Sequence, residues 1–118
     1  MKLVNKTKNI NILNKLEIAE SFASRLKGLL GRSGIADEEG LLIKECNQIH
    51  MFFMRFPIDA VFVNTRYEEK TIYKVIKIIS AIKPWRVSPF VCGADAVLEI
   101  KSGKSAGSIN VGDELEAI

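Results

Sequence analysis

The twelve residues TIYKVIKIISAI, Thr71 to Ile82, constrain the fold more than any other part of the chain. Thr71, Ile72, Val75, Ile76, Ile78 and Ile79 are β-branched and Tyr73 is aromatic. Such side chains lose rotamer freedom in a helix and pack well on a pleated surface. The positions Val75, Ile76, Ile78 and Ile79 would also suit helical spacing. The run as a whole predicts one long strand, buried on both faces.

A strand of that length needs partners, and shorter β-type runs lie on either side of it. Leu41 to Glu45, Ile49 to Phe56 and Ile58 to Val63 read as strands before it. Pro57 cannot donate to a ladder and separates the last two. AVLEI, SIN and ELEAI supply closing strands, set apart by Gly103, Gly107 and Gly112. Near the N-terminus, Ile10 and Ile12 alternate and are followed by Leu13, Leu16 and Ile18, an edge strand whose phase breaks near Leu13. NTRYEEK is a polar connection, and KPWRVSPF, with two prolines, is a loop.

One helix is expected. In SFASRLKGLLGRSG, the residues Phe22, Leu26, Leu29 and Leu30 stand at helical spacing, with Ser21 as the N-cap and Gly31 as a terminator. Arg25 and Arg32 fall at its edges, where a cation near the C-terminus gains from the helix dipole. Many short strands and one helix predict a mainly β fold. The expected form is a compact β-barrel or sandwich of short strands, with one or two short α-helices packed at the edge. The 118 residues suit a single domain, 1–118, and 47% hydrophobic residues suffice for one core.

The most unusual stretch is CNQIHMFFMRFPIDAVFV, residues 46 to 63. It is mostly apolar, yet holds the chain's one histidine, a cysteine, and an Arg and an Asp four residues apart. If residues 49 to 56 are extended, His50 shares a face with Phe52, Met54 and Phe56, and Arg55 shares the other with Ile49, Met51 and Phe53. A guanidinium does not lose its proton, so a buried Arg55 must meet acceptors. Asp59 is the nearest, and its carboxylate suits the planar fork. The two residues then form either a structural staple at the Pro57 bend or a grip for a ligand carboxylate or phosphate. His50 likewise reads either as a core residue bonded through one nitrogen or as a general base beside a pocket.

Cys46 and His50 have a C-x-x-x-H spacing, but one histidine and no C-x-x-C leave zinc short of ligands, so no metal or other cofactor is expected. In a straight strand the two would stand about 13 Å apart, too far for a nucleophilic dyad. Trp85 and Arg86 sit between Pro84 and Pro89, either as a recognition surface or with Trp85 capping the core. Asp113, in VGDELEAI, suits a turn hydrogen bond. No glycine pattern opens a helix after a strand, so no nucleotide site is assigned.

The net charge of +3 demands no anionic partner. Nucleic-acid binding would need basic residues gathered on one face, and none is expected. MKLVNKTKNINILNKLEIAE lacks the pattern of a signal peptide, and no apolar run approaches the roughly 20 residues of a span. No membrane partner is therefore expected, and the cytoplasm is the default compartment. Cys46 and Cys92 are expected as reduced thiols there.

RLKGLLGR, GLLI-x-x-C-x-x-IHMFFMRFPIDAVFV, IKPWRV, AVLEIKSG and VGDEL occur in that order. Together they resemble the domain of unknown function 192 family, from about Phe22 to Leu115. The pattern falls on Arg25, Gly28, Leu29, Gly31, Arg32, Cys46, His50, Phe53, Met54, Arg55, Pro57, Asp59 and Phe62, and continues through Pro84, Trp85, Arg86, Leu98, Glu99, Gly103, Gly112 and Asp113. The connection around Arg66 to Thr71 is longer than the family's tight hairpin, a departure that touches only the hairpin's register. The resemblance implies a β-rich barrel or sandwich with one or two short helices. It implies no activity. Some relatives carry export signals, which this chain does not.

Three function classes follow. The first is a binding module for a small polar or anionic ligand, in a cleft near His50, Arg55 and Asp59 with Trp85 and Arg86 at the rim. The second is an enzyme with His50 as acid/base, Asp59 as its orienter and Arg55 stabilising negative charge. The third is a structural or partner-docking protein whose polar groups are satisfied internally.

Overall fold

Among the described residues, eight strands make up the regular structure: β1 (Leu3–Asn5), β2 (Ile10–Leu13), β3 (Lys15–Ala19), β4 (Glu39–Lys44), β5 (Ile58–Tyr67), β6 (Thr71–Ile82), β7 (Ala96–Lys101) and β8 (Glu114–Ala117). The structure, a computed structural model, describes residues 1–21, 24 and 27–118. The strands form one sheet of order β2-β1-β8-β6-β5-β7-β4-β3, antiparallel except where β3 runs parallel to β4.

Its two edge strands, β2 and β3, are separated in the chain by Asn14 alone. Neighbouring strands lie roughly 4.8 Å apart, so a flat sheet of this order would hold its edges roughly 34 Å from each other. A one-residue link forces the sheet to curl until the edges meet at that corner. The Leu16 amide donates to the Met1 carbonyl at 2.7 Å, which ties the β3 edge to the start of the chain. No ladder among the described residues pairs β2 with β3, so the sheet is curled but open. The expected closed barrel or two-sheet sandwich is not formed.

Curling gives the sheet an inner and an outer apolar face. Inside, Leu3, Leu13, Leu16, Leu42, Val61, Val63, Val75, Leu98, Ile100 and Leu115 pack together. Outside, Ile43, Ala60, Phe62 and Val97 pack under residues from the connecting segments, namely Leu29, Ile35, Ile49, Met51, Met54 and Val91. The first six residues of β5 and the first five of β7 are consequently buried without interruption, as expected of strands covered on both faces.

The strand expected at Thr71 to Ile82 is β6, with those bounds. It is not buried on both faces, because it lies beside the short β8, and Lys74, Lys77, Ser80 and Ala81 reach solvent. The phase break near Leu13 is Asn14. The β5–β6 hairpin closes with Tyr67 opposite Thr71. SIN forms no strand; it lies among the turns between β7 and β8, from which Ile109 enters the inner core. Ile49 to Phe56 is not a strand either. One bridge, His50 to Val87, is followed by a turn in which Phe53 takes φ 64°.

Of the helix expected after Ser21, Phe22, Arg25 and Leu26 lie outside the described residues. Ser24 and Lys27 have helical backbone, and Ser21 Oγ accepts from the Ser24 amide at 3.0 Å, the N-cap geometry. Gly28, at φ 47°, breaks that backbone before Gly31 is reached. Arg32 pairs with Glu39 at 3.2 Å rather than relying on a helix dipole.

Candidate functional site

Strand β7 alternates cleanly. Ala96, Leu98 and Ile100 enter the inner core, and Val97 and Glu99 take the outer face. Glu99 is therefore placed by strand register on a face made for apolar contacts, and it is only 6% exposed. Burial alone pushes its carboxyl up to about 7, with no hydrogen bond or charge among the described residues opposing the shift.

Above Glu99 the covering segments leave a cavity of about 250 Å³. Its walls are apolar, from Leu29, Leu30, Ile43, Ile49 and Met54, and its polar groups are Lys27, Glu45, Cys46, Gln48, His50 and Glu99. One wall is held by two laced segments, 47–51 and 85–91. The Met51 amide donates to Arg86 O at 2.7 Å, the Trp85 amide to Met51 O at 2.7 Å, the Ser88 amide to Ile49 O and the Val91 amide to Asn47 O, both at 2.9 Å. Buried Ser88 completes the lacing, because its Oγ accepts from the Ile49 amide at 3.0 Å. Gln48 Nε2 donates to Ser88 O, and Cys46 Sγ donates to Gln48 O at 3.0 Å. The wall is thus fixed by backbone and side-chain hydrogen bonds.

The sequence-derived site residues are only partly brought together. His50 lines the cavity at its exposed rim, with its ring 5.0 Å from that of Phe52. Arg55 is exposed and forms no ion pair with Asp59, so the expected staple does not exist. Its segment turns at Phe53 instead of running extended, which carries the guanidinium outward.

Asp59 is fully buried and is satisfied elsewhere. It accepts from the Ala81 amide at 2.8 Å, the Ser105 amide at 3.1 Å and Ser105 Oγ at 2.5 Å. Burial would raise its pKa, but these bonds, with one from the Gly103 backbone, outweigh burial and hold it below the usual value. On β5, Asp59 alternates with Ala60, and Ala60 stands opposite Glu99. Asp59 therefore faces the inner side of the sheet and His50 the outer side. An Asp59–His50 acid/base pair is excluded by that placement.

Trp85 does not cap the core. It is 59% exposed and packs on Phe53, itself 70% exposed, with ring centroids 4.9 Å apart. Arg86 is exposed beside it. Cys46 and His50 line the same cavity, because the segment between them is not extended. Cys46 and Cys92 form no disulfide. Asp113 makes the expected turn bond, accepting from the Asn110 amide at 2.8 Å. Among the described residues no cluster of three or more His, Cys, Asp or Glu could hold a metal ion, and no helix is long and apolar enough to cross a membrane.

Sequence reasoning placed Glu99 on a strand but gave it no role. The available signal was one carboxylate inside the otherwise apolar run AVLEI.

Comparison with known proteins adds a family and a fold. The DUF192 family model, described as Uncharacterized ACR, matches residues 3–117. A UPF0127 protein of Pyrococcus abyssi is 30% identical over 98% of this chain and 97% of its own length. The crystal structure of a protein of unknown function from Novosphingobium aromaticivorans superposes with a TM-score of 0.77 at 25% identity, covering 98% of this chain and 82% of that one. A candidate transcription regulator from Sinorhizobium meliloti superposes with a TM-score of 0.70 at 22% identity, covering 98% and 89%, a likeness of fold.

Proposed function

The chain belongs to the DUF192 family, and from that premise we propose that it is a binding module for a small polar ligand. The ligand enters the cavity beside His50 and presents hydrogen-bond donors to Glu99. The observation that carries this reading is a buried carboxyl with no partner among the described residues, lining a space of about 250 Å³. A carboxyl left in that state costs stability, and a ligand that donates to it recovers the loss on binding. Apolar walls with a few polar groups are the usual make-up of such sites.

The anionic ligand expected from Arg55 and Asp59 is not supported. Arg55 is exposed and Asp59 is occupied on the other side of the sheet.

Native mass spectrometry of protein purified from its own cells tests the reading. A small molecule retained by the wild type and lost in Glu99→Leu supports it. A bare chain, with no thermal stabilisation by any compound of a library of small amines, amides and polyols, overturns it.

One observation favours a second reading. Glu99 titrates near neutral pH in the same cavity as His50 and Cys46, which suits a group that moves a proton. Conversion of the retained molecule by wild type but not by Glu99→Gln would identify an enzyme. Unchanged recovery of the molecule leaves the binding module.

A further inference from the structure

Beside the cavity mouth, the two laced segments carry a surface that the ligand site does not use. Phe52, Phe53, Trp85, Val87 and Phe90 are all exposed large apolar side chains. Phe52 and Phe53 both pack on Trp85, with centroids 6.1 and 4.9 Å away and tilts of 34° and 60°. Phe53 and Trp85 stand at φ 64° and 69°, a left-handed backbone that bulky side chains avoid. Their rings are therefore held in solvent at a conformational cost, by a frame of backbone hydrogen bonds.

The charge carried by these two segments is of one sign. Residues 46–57 and 83–92 contain Arg55, Lys83 and Arg86, all exposed, and no acidic residue. These three cations equal the whole net charge of +3, and the remaining basic residues balance the 14 acidic ones. Exposed aromatic rings and exposed cations on the same two segments, with no ion pair to those cations among the described residues, fit an anionic partner that can also take up apolar side chains.

We infer that the 46–57 and 83–92 segments form a peripheral docking surface for a bilayer containing acidic phospholipids. The rings enter the headgroup boundary, where aromatic side chains partition well, and the cations meet lipid phosphates. A second copy of the chain would set the same three cations against each other. A single nucleic-acid strand would need open ring faces and a longer run of cations, whereas these rings are turned against one another. Expecting no membrane partner because no apolar run spans a bilayer does not bear on such a surface, since docking by loop tips needs no span.

Trp85 is the chain's one tryptophan and reports the contact directly. Sedimentation with vesicles of phosphatidylcholine and phosphatidylglycerol in equal parts should carry the wild type down, with a blue shift of its fluorescence. Pure phosphatidylcholine vesicles should leave it in the supernatant. Phe53→Ser and the double variant Arg55→Glu/Arg86→Glu alter exposed side chains and should keep the native circular dichroism, yet each should bind at least about tenfold more weakly. Equal partitioning onto both vesicle types, sedimentation without a Trp85 shift, or capture by single-stranded DNA but not by vesicles overturns the inference. None of these outcomes depends on whether the cavity holds a ligand.

Discussion

Asp59 and Glu99 stand one rung apart on the neighbouring strands β5 and β7, and their carboxyl groups face opposite sides of the sheet. Both are buried, at 0% and 6% exposure. The inner carboxyl collects hydrogen bonds from Ala81, Ser105 and Gly103, which outweigh its desolvation and lower its pKa. The outer one has, among the described residues, desolvation alone, and its pKa rises to about 7. One acid is therefore a fixed anion that organises backbone. The other is a group whose proton is available near neutral pH, at a cavity wall.

Glu99 makes the fold less stable as pH rises. Its folded pKa of about 7 lies above the reference 4.5, so the folded state holds a proton that the unfolded chain has released between those values. The penalty for ionising it is absent below about pH 4.5, grows as pH climbs, and is complete above about 7. Glu99→Gln, with an uncharged side chain of similar shape, should match the wild type near pH 4. Above pH 7 it should be the more stable by about 3 kcal/mol, two and a half pKa units at about 1.4 kcal/mol each. Urea denaturation of both proteins from pH 4 to 8 measures this, and parallel curves would remove the case for an unpartnered carboxyl.

Asp59 and Arg55 should separate sharply on substitution. Asp59→Ala strands the Ala81 and Ser105 amides and the Ser105 hydroxyl, and should cost about 3 kcal/mol or more. Because its pKa is lowered, the stability Asp59 supplies is present above about pH 4 and lost on acidification. Arg55→Ala removes an exposed side chain and should change stability by less than about 0.5 kcal/mol. A loss above about 2 kcal/mol for Arg55→Ala would restore the discarded staple.

Local signals in the chain were legible where the physics is local. The β-branched run of β6, the phase break at Asn14 and the Ser21 cap each follow from a few adjacent residues. The segment 49–56 misled because a nearly continuous apolar run satisfies any periodicity. Its true pattern buries Ile49, Met51 and Met54 and exposes Phe52 and Phe53. The turn responsible uses left-handed backbone at Phe53, with no glycine or asparagine to mark it. β1, three residues between charged flanks, is held by β8 at the far end of the chain, and no local pattern announces such a pairing. The site was half legible. A lone histidine in an apolar stretch pointed to the cavity, but the carboxyl below it is supplied by β7, about fifty positions later.

The two thiols should react at different rates. Cys92 is exposed, whereas Cys46 is half-buried in the cavity wall with its Sγ donating to Gln48 O. Access to a thiol-reactive probe is governed by exposure and thiolate character, so Cys92 should be modified first and Cys46 at least about tenfold more slowly. Any ligand held by the cavity should slow Cys46 further and leave Cys92 unchanged. Mass spectrometry of partially labelled protein reads both rates. Equal rates would mean that the wall around Cys46 opens freely.

The corner where the sheet's edges meet makes the last prediction. Leu13, at the end of edge strand β2, is fully buried and its Cδ1 occupies the space where a Cβ on Gly40 would stand; Ile100 Cγ2 would be 3.1 Å from the same atom. Gly40 lies on β4, paired with β3 at the opposite edge, so this contact packs the end of β2 against the strand beside β3. Gly40→Ala should overpack the core and cost about 1–3 kcal/mol. Leu13→Val removes the terminal reach of that side chain and should cost about 1 kcal/mol by itself. Since the two residues contend for one volume, the double variant should be less destabilised than the sum of the singles, by about 1 kcal/mol or more. A double-mutant cycle by urea denaturation tests it. Strict additivity would mean that Leu13 does not lie over Gly40, and the packing of the β2 end against β4 would have to be redrawn.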